Sequence, residues 1–252
     1  MVKNGLTYRF RVYNHTYSEK RWAGLTGKAS HWFVAARKER NDKLTKNITL
    51  VYVAQSTAGF KVVDMFDALG LQPIPYGKTR LENVVVEDKH FIVSPEKSGL
   101  RVIYDTVFRS RMGISAIASG MSQRLLDDAL ERSANRMVFG IPLSDYDNVR
   151  YTIERLRGYA AVNRVLKLFA GKWMTDNADV STDYALVNSI KVVATECMKL
   201  AADAQALASG GNLLISCPYA MAAHHILVIW SCTGAAVSCH DGVAVYMLGT
   251  CI

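Results

Sequence analysis

Cysteine is scarce and unevenly placed. Of the five in this 252-residue chain, four lie beyond residue 216, and no spacing suggests a disulfide framework. A reducing cytoplasm is the compartment to expect. The opening MVKNGLTYRF has no long apolar run beside its basic residue, which excludes a secretory signal there. There is no RNP-like aromatic-basic signature, zinc-finger spacing or Lys/Arg block. Nucleic acid is therefore the weakest anionic partner for a chain of net charge +8, behind a phosphorylated cofactor or a CoA tail. Basic side chains stop at Lys199, and after Asp203 the only acid is Asp241. Ala220 to Cys239 approaches the length of a membrane span, but His224, His225 and several Ser/Thr interrupt it, so no span is expected. Cys232, Cys239 and His240 fit no standard zinc spacing and lack an evident fourth ligand, so no metal is expected.

What is present is ample apolar material. Half the residues are hydrophobic and 21% are charged, enough for one large domain or two small ones. Between residues 6 and 95 the chain shows short β-rich runs. Leu6 to Tyr13 alternates in part, His31 to Ala36 and Ile48 to Ala54 are dense in apolar residues, and Val84 to Val86 adds another strand. Ser56 to Gly59 and Leu71 to Gly77 suit turns.

From Gly99 to Leu207 the period becomes helical. Ile103, Val107, Ile114, Ile117, Met121 and Leu125 mark the face of a first helix. Val149, Ile153, Leu156, Ala160, Val165, Phe169 and Trp173 mark a second. In a third, Leu186, Ile190, Val193, Cys197, Leu200, Ala204 and Leu207 step alternately by four and three, which places them on one face. The expected fold class is α+β: an antiparallel, barrel-like β-domain (1–97), then an incomplete up-down helical bundle (98–209), then a divergent apolar tail (210–252).

Several motifs narrow the reading. Arg136-Met-Val-Phe139-Gly140-Ile-Pro142-Leu143 joins the first two helices. Upstream stand Lys20-Arg21-Trp22, Gly27-Lys28-Ala29 and Val34-Ala35-Ala36-Arg37, followed in order by Gly59-Phe60, Leu69-Gly70, Glu82-Asn83-Val84 and Gly99-Leu100. Taken in this order over residues 15 to 208, the chain resembles the middle and C-terminal parts of the acyl-CoA dehydrogenase family.

The resemblance implies FAD as cofactor. Trp22 matches the tryptophan that packs on the flavin, a task suited to an indole face. The family's Ser or Thr two residues later is Gly24 here. Arg136 and Phe139 match residues that reach the FAD of a neighbouring subunit, the arginine toward pyrophosphate and the phenylalanine toward the adenine end. Gly210, in Ser209-Gly210-Gly211, loosely matches another cofactor-binding segment whose glutamine is displaced. Arg111 matches an arginine near the substrate. An acyl-CoA or acyl-carrier thioester as substrate, an electron-transfer flavoprotein as acceptor and a homodimer or homotetramer are further implications, within fatty acid metabolism.

Departures from the pattern matter as much. The family's N-terminal helical domain and its T-E-x-x-x-G-S-D loop are not found in this sequence. Its catalytic glutamate lies either late in the chain or just before the arginine matched by Arg111. Here no Glu follows Glu196, and Ser110 precedes Arg111. The catalytic residue is left unassigned; Asp105, two turns earlier, is a poor candidate. Three functions follow from the resemblance: an FAD-dependent acyl-CoA dehydrogenase-like oxidoreductase, a non-catalytic oligomerising remnant, and a flavin-dependent monooxygenase on the same fold.

Overall fold

The computed structural model describes residues 7–9, 18–37, 48–67, 74–92, 99–177, 183–209 and 247–250. The chain divides into two compact units: Met1–Tyr104 with Cys239–Ile252, and Asp105–Ser238.

The first unit is built of antiparallel strands. β1 (Thr7–Arg9) pairs with β7 (Val85–Glu87). β2 (Ser18–Gly24), β6 (Tyr76–Leu81) and β5 (Phe60–Phe66) form one three-stranded sheet, with β6 in the middle. β3 (His31–Arg37) lies between β4 (Ile48–Ala54) and β10 (Met247–Thr250) in another. The described strands form separate small sheets and no closed barrel.

The core of this unit follows from the strand period of two. Trp32 sits opposite Val53 and Val34 opposite Val51, so these four share one buried face of the β3–β4 pair, which Thr49 continues along β4. Phe60, Val84 and Val86 complete the cluster. Trp32 is fully buried, its ring 5.6 Å from Phe60, and its indole N–H donates to Gln55 Oε1 at 3.3 Å. At Gly77 an added Cβ would lie 2.4 Å from the Asp64 carbonyl oxygen and 2.6 Å from Thr26 Cγ2, so only glycine lets β6 run this close.

The second unit is helical: α1 (Leu100–Asn135), α2 (Asp147–Asp176) and α3 (Tyr184–Ser209). A short hairpin, β8 (Met137–Val138) and β9 (Ile141–Pro142), joins α1 to α2. Asp183 caps α3, its carboxylate accepting from the Leu186 N–H at 3.0 Å. No helix among the described residues is long and apolar enough to cross a membrane.

All three helices fall where the periodicity places them, but their buried faces differ from those read in the sequence. On α2 the expected Val149, Ile153, Leu156 and Ala160 are buried. The stripe then continues through Asn163 and Ala170, leaving Val165 and Phe169 exposed. On α1, Ile103, Val107, Ile114 and Leu125 are buried as expected, but Ile117 is exposed. On α3 the expected Ile190 and Ala204 are buried and Leu186 and Cys197 half-buried, but Val193, Leu200 and Leu207 are exposed, and Val187, Lys191, Ala194, Met198, Ala201, Gln205 and Ala208 are buried as well. Where the observed stripes depart from the expected ones they include small residues such as Ala170, Ala194, Ala201 and Ala208, which let helices approach closely.

Candidate functional site

The Arg136–Leu143 segment was expected to join two helices, and it does so as a hairpin. Val138 pairs with Ile141 and Met137 with Pro142, so the turn contains only Phe139 and Gly140. Both have positive φ, 47° and 84°. This is the primed-turn geometry whose twist suits a two-residue hairpin. Glycine adopts it freely, whereas a phenylalanine there is strained by about 1–2 kcal/mol. The hairpin is held from below, where the Tyr146 hydroxyl donates to the Val138 carbonyl at 2.9 Å and the Leu143 N–H to the Arg136 carbonyl at 2.8 Å. Phe139 is thereby presented almost wholly to solvent, at 98% exposure. Arg136 is also exposed, and among the described residues its guanidinium has no hydrogen bond or ion pair. A large apolar ring held in a strained turn beside an uncommitted guanidinium contributes nothing to the packing of this unit. It suits a ligand with an anionic part and a planar part.

Arg111 lies elsewhere in the same unit and is buried, at 7% exposure. Its Nη1 donates to Asn188 Oδ1 on α3, and its guanidinium carbon lies 5.8 Å from the centre of the Phe108 ring. Its Nε has no partner among the described residues. Lys191, one turn beyond Asn188 on α3, is equally buried. Burial lowers its pKa, the Arg111 guanidinium lowers it further, and Glu196 acts in the opposite direction. Sequence reasoning did not single out Lys191 or Asn188. The available signal was a lysine on the small-residue stripe of α3, visible only once that stripe is known to face inward.

Trp22 lies in β2, where the register shifts between Lys20 and Ala23. Lys20 pairs with Thr79 and Ala23 with Gly77, so Arg21 and Trp22 together face Lys78. Such a bulge re-aims the side chains it carries; the Trp22 side chain itself lies outside what is described. At Gly24 a Cβ would meet only the Tyr76 ring, at 3.8 Å, an ordinary contact distance. Gly210 lies outside the described residues, as do Cys232, Cys239 and His240. Among the described residues, no cluster of three or more His, Cys, Asp or Glu could hold a metal.

The acids near Arg111 in sequence are committed or distant. Asp105 accepts from Arg109 Nε at 2.8 Å, and Ser110 turns its hydroxyl to the Val107 carbonyl at 2.7 Å. No carboxylate among the described residues is hydrogen-bonded to Arg111 or Lys191.

The family model "Acyl-CoA dehydrogenase, C-terminal domain" matches residues 97–240. The mitochondrial short-chain specific acyl-CoA dehydrogenase of Sus scrofa is 27% identical over 134 residues, which are 53% of this chain and 32% of that protein. The solved butyryl-CoA dehydrogenase of Megasphaera elsdenii superposes with a TM-score of 0.78 at 18% identity, over 91% of this chain and 59% of the other. A structure titled "PigA with FAD and proline" gives 0.75 at 14% identity, over 88% and 58% respectively. The chain thus spans about a third of the pig enzyme and somewhat under three fifths of each solved chain. The two structures share its fold, and the family match covers all three helices and the hairpin between them: this chain belongs to the acyl-CoA dehydrogenase family.

Proposed function

We propose that this chain forms the middle and C-terminal parts of an FAD-dependent oxidoreductase that acts on the α,β C–C bond of an acyl thioester. The observation that carries the reading is the hairpin at Phe139-Gly140, which holds a solvent-exposed phenylalanine in a strained turn beside an uncommitted arginine. FAD, where bound, would supply the acceptor for a hydride leaving the β-carbon. This chain's residues would bind and orient. Arg136 would hold the pyrophosphate and Phe139 would lie at the adenine end, both toward a neighbouring subunit's cofactor. Trp22 would cover the flavin, and Gly210 would lie in a further cofactor contact. Arg111 would lie on the substrate side. A homodimer or homotetramer, an electron-transfer flavoprotein as acceptor and the division at residues 97/98 and 209/210 belong to the same proposal.

The test is the visible spectrum of the purified chain, reconstituted with FAD and titrated anaerobically with acyl-CoAs. A bound-flavin spectrum that bleaches supports the reading, and Arg136→Ala and Phe139→Ala should each then weaken FAD retention about tenfold or more. Failure to retain flavin overturns it. One observation favours a second reading: Ser110 stands before Arg111 and no Glu follows Glu196, so neither family position for the base is filled. Bound flavin that stays oxidised would select a non-catalytic family member, or a monooxygenase if reduced flavin then consumes oxygen.

A further inference from the structure

The helical unit contains a charge arrangement that the cofactor reading does not use. Arg111 on α1 and Lys191 on α3 are each 7% exposed, and Asn188 lies between them, accepting from the guanidinium and standing one turn from the lysine. A buried cation is ordinarily matched by an acid and by a full set of acceptors. Here the Arg111 Nε–H points into the interior without an acceptor, and neither cation has an ion pair among the described residues. Glu196, the acid that raises the Lys191 pKa, is exposed and five residues further along α3, roughly on the helix's other side. Asp105, the other acid close in sequence to Arg111, is paired with Arg109. Arg111 and Lys191 repel one another, and the contacts of the guanidinium are one neutral amide, that of Asn188, and one aromatic ring, that of Phe108. Their arrangement calls for an anion.

We propose that Arg111 and Lys191 form a buried anion site for a carboxylate, with Asn188 fixing the orientation of the guanidinium. The free Nε–H and the lysine ammonium come from different helices, so a carboxylate can give one oxygen to each while Nη1 stays on Asn188. A carboxylate offers each donor its own oxygen, whereas a halide offers both the same atom, so acetate and chloride test the geometry differently. The site does not depend on flavin. It rests on the acyl thioester reading only if the carboxylate belongs to the acyl group.

The experiment uses the full chain without added FAD. Its melting temperature is measured against sodium acetate, with sodium chloride at matched ionic strength. Acetate should raise it saturably, by about 5 °C at a hundred times its dissociation constant, and chloride should not. Lys191→Met should melt higher than wild type in chloride, because an unmatched charge is removed, and should lose the acetate response. The Nε–H resonance of Arg111, identified by its disappearance in Arg111→Lys, should move with acetate at the same midpoint. Succinyl-CoA against butyryl-CoA separates the two sources of carboxylate: stabilisation by the former beyond the latter assigns the site to an acyl chain's terminal carboxylate, and an acetate response with no difference between the two thioesters assigns it to a free acid. Equal responses to acetate and chloride, an unmoved Arg111 resonance, or a Lys191→Met variant that melts lower in chloride would each overturn the proposal.

Discussion

The two units of this protein bury opposite kinds of side chain. The β unit hides Trp32, Phe60 and five valines, large and branched groups that fill space by their own bulk. Of the fourteen residues in the main helical cluster, eight are alanine. Around that cluster lie Ser115, Ser119, Ser122, Ser133, Asn163, Thr195 and Gln205, all buried, while Val165, Leu168, Phe169 and Leu207 face outward. The β unit therefore depends mainly on transfer of apolar surface from water, at about 25 cal/mol per Å². The helical unit depends more on close backbone approach and on polar contacts, such as the Asn163 amide donating to Ser122 Oγ at 2.8 Å, while the Asn163 Oδ1 is buried without a partner among the described residues. The same hydrophobic composition thus supports two different ways of making an interior.

The comparison can be broken most directly at Trp32. Trp32→Ala should destabilise the β unit by about 3–5 kcal/mol, and Leu156→Ala, at the centre of the helical cluster, by about 2–5 kcal/mol. Chemical denaturation checks both. If either loss fell below about 1 kcal/mol, the assigned core would be wrong.

A sharper test lies on α3, where neighbouring positions face opposite ways. Ala201 is fully buried and Leu207 is 75% exposed. Ala201→Leu should destabilise by about 1–3 kcal/mol through overpacking. Leu207→Ala should change stability by no more than about 0.5 kcal/mol. The opposite order would restore the face read from hydrophobicity alone.

The polar component of the helical interior is tested at Asn163. Asn163→Ala should lower stability by about 1–2 kcal/mol, because Ser122 loses its partner in a dry seam. An unchanged denaturation midpoint would mean that the seam is wet or replaceable.

The smallest effect belongs to the surface of the β unit. The Lys61 hydrogen bond to Glu82, 2.6 Å long, holds that carboxyl below its ordinary range, and Arg80 acts in the same direction. A carboxyl whose pKa is depressed in the folded state contributes stability above the unfolded pKa and loses it as pH falls through the folded one. Lys61→Met should therefore flatten the acid limb of the melting profile slightly and leave neutral stability nearly unchanged. Parallel acid limbs for wild type and variant would exclude the pair as a contributor.

The fold was largely legible where a single period applies. His31–Ala36 and Ile48–Ala54 are dense in apolar residues, and both are strands. β5, with the sequence FKVVDMF, is exposed over most of its length and is not among the strands expected from the sequence. The partnership of β10 with β3 joins segments more than two hundred residues apart, which no local pattern encodes. At the candidate site, RMVFGIPL was legible as a connection with a family likeness, whereas the strained hairpin that exposes Phe139 emerged only from the backbone angles.

What the sequence determined by itself was the element types and the order of the motifs, because these are properties of local period and residue identity. What the tertiary structure alone decided was where the inward stripe departs from the one read in the sequence, most clearly on α3. On α3, hydrophobicity favours Val193, Leu200 and Leu207, but close approach favours Ala194, Ala201 and Ala208, and the tighter packing of small residues prevails. On that inward stripe stands Lys191, and no local pattern in the sequence marks its burial or its repulsion by Arg111.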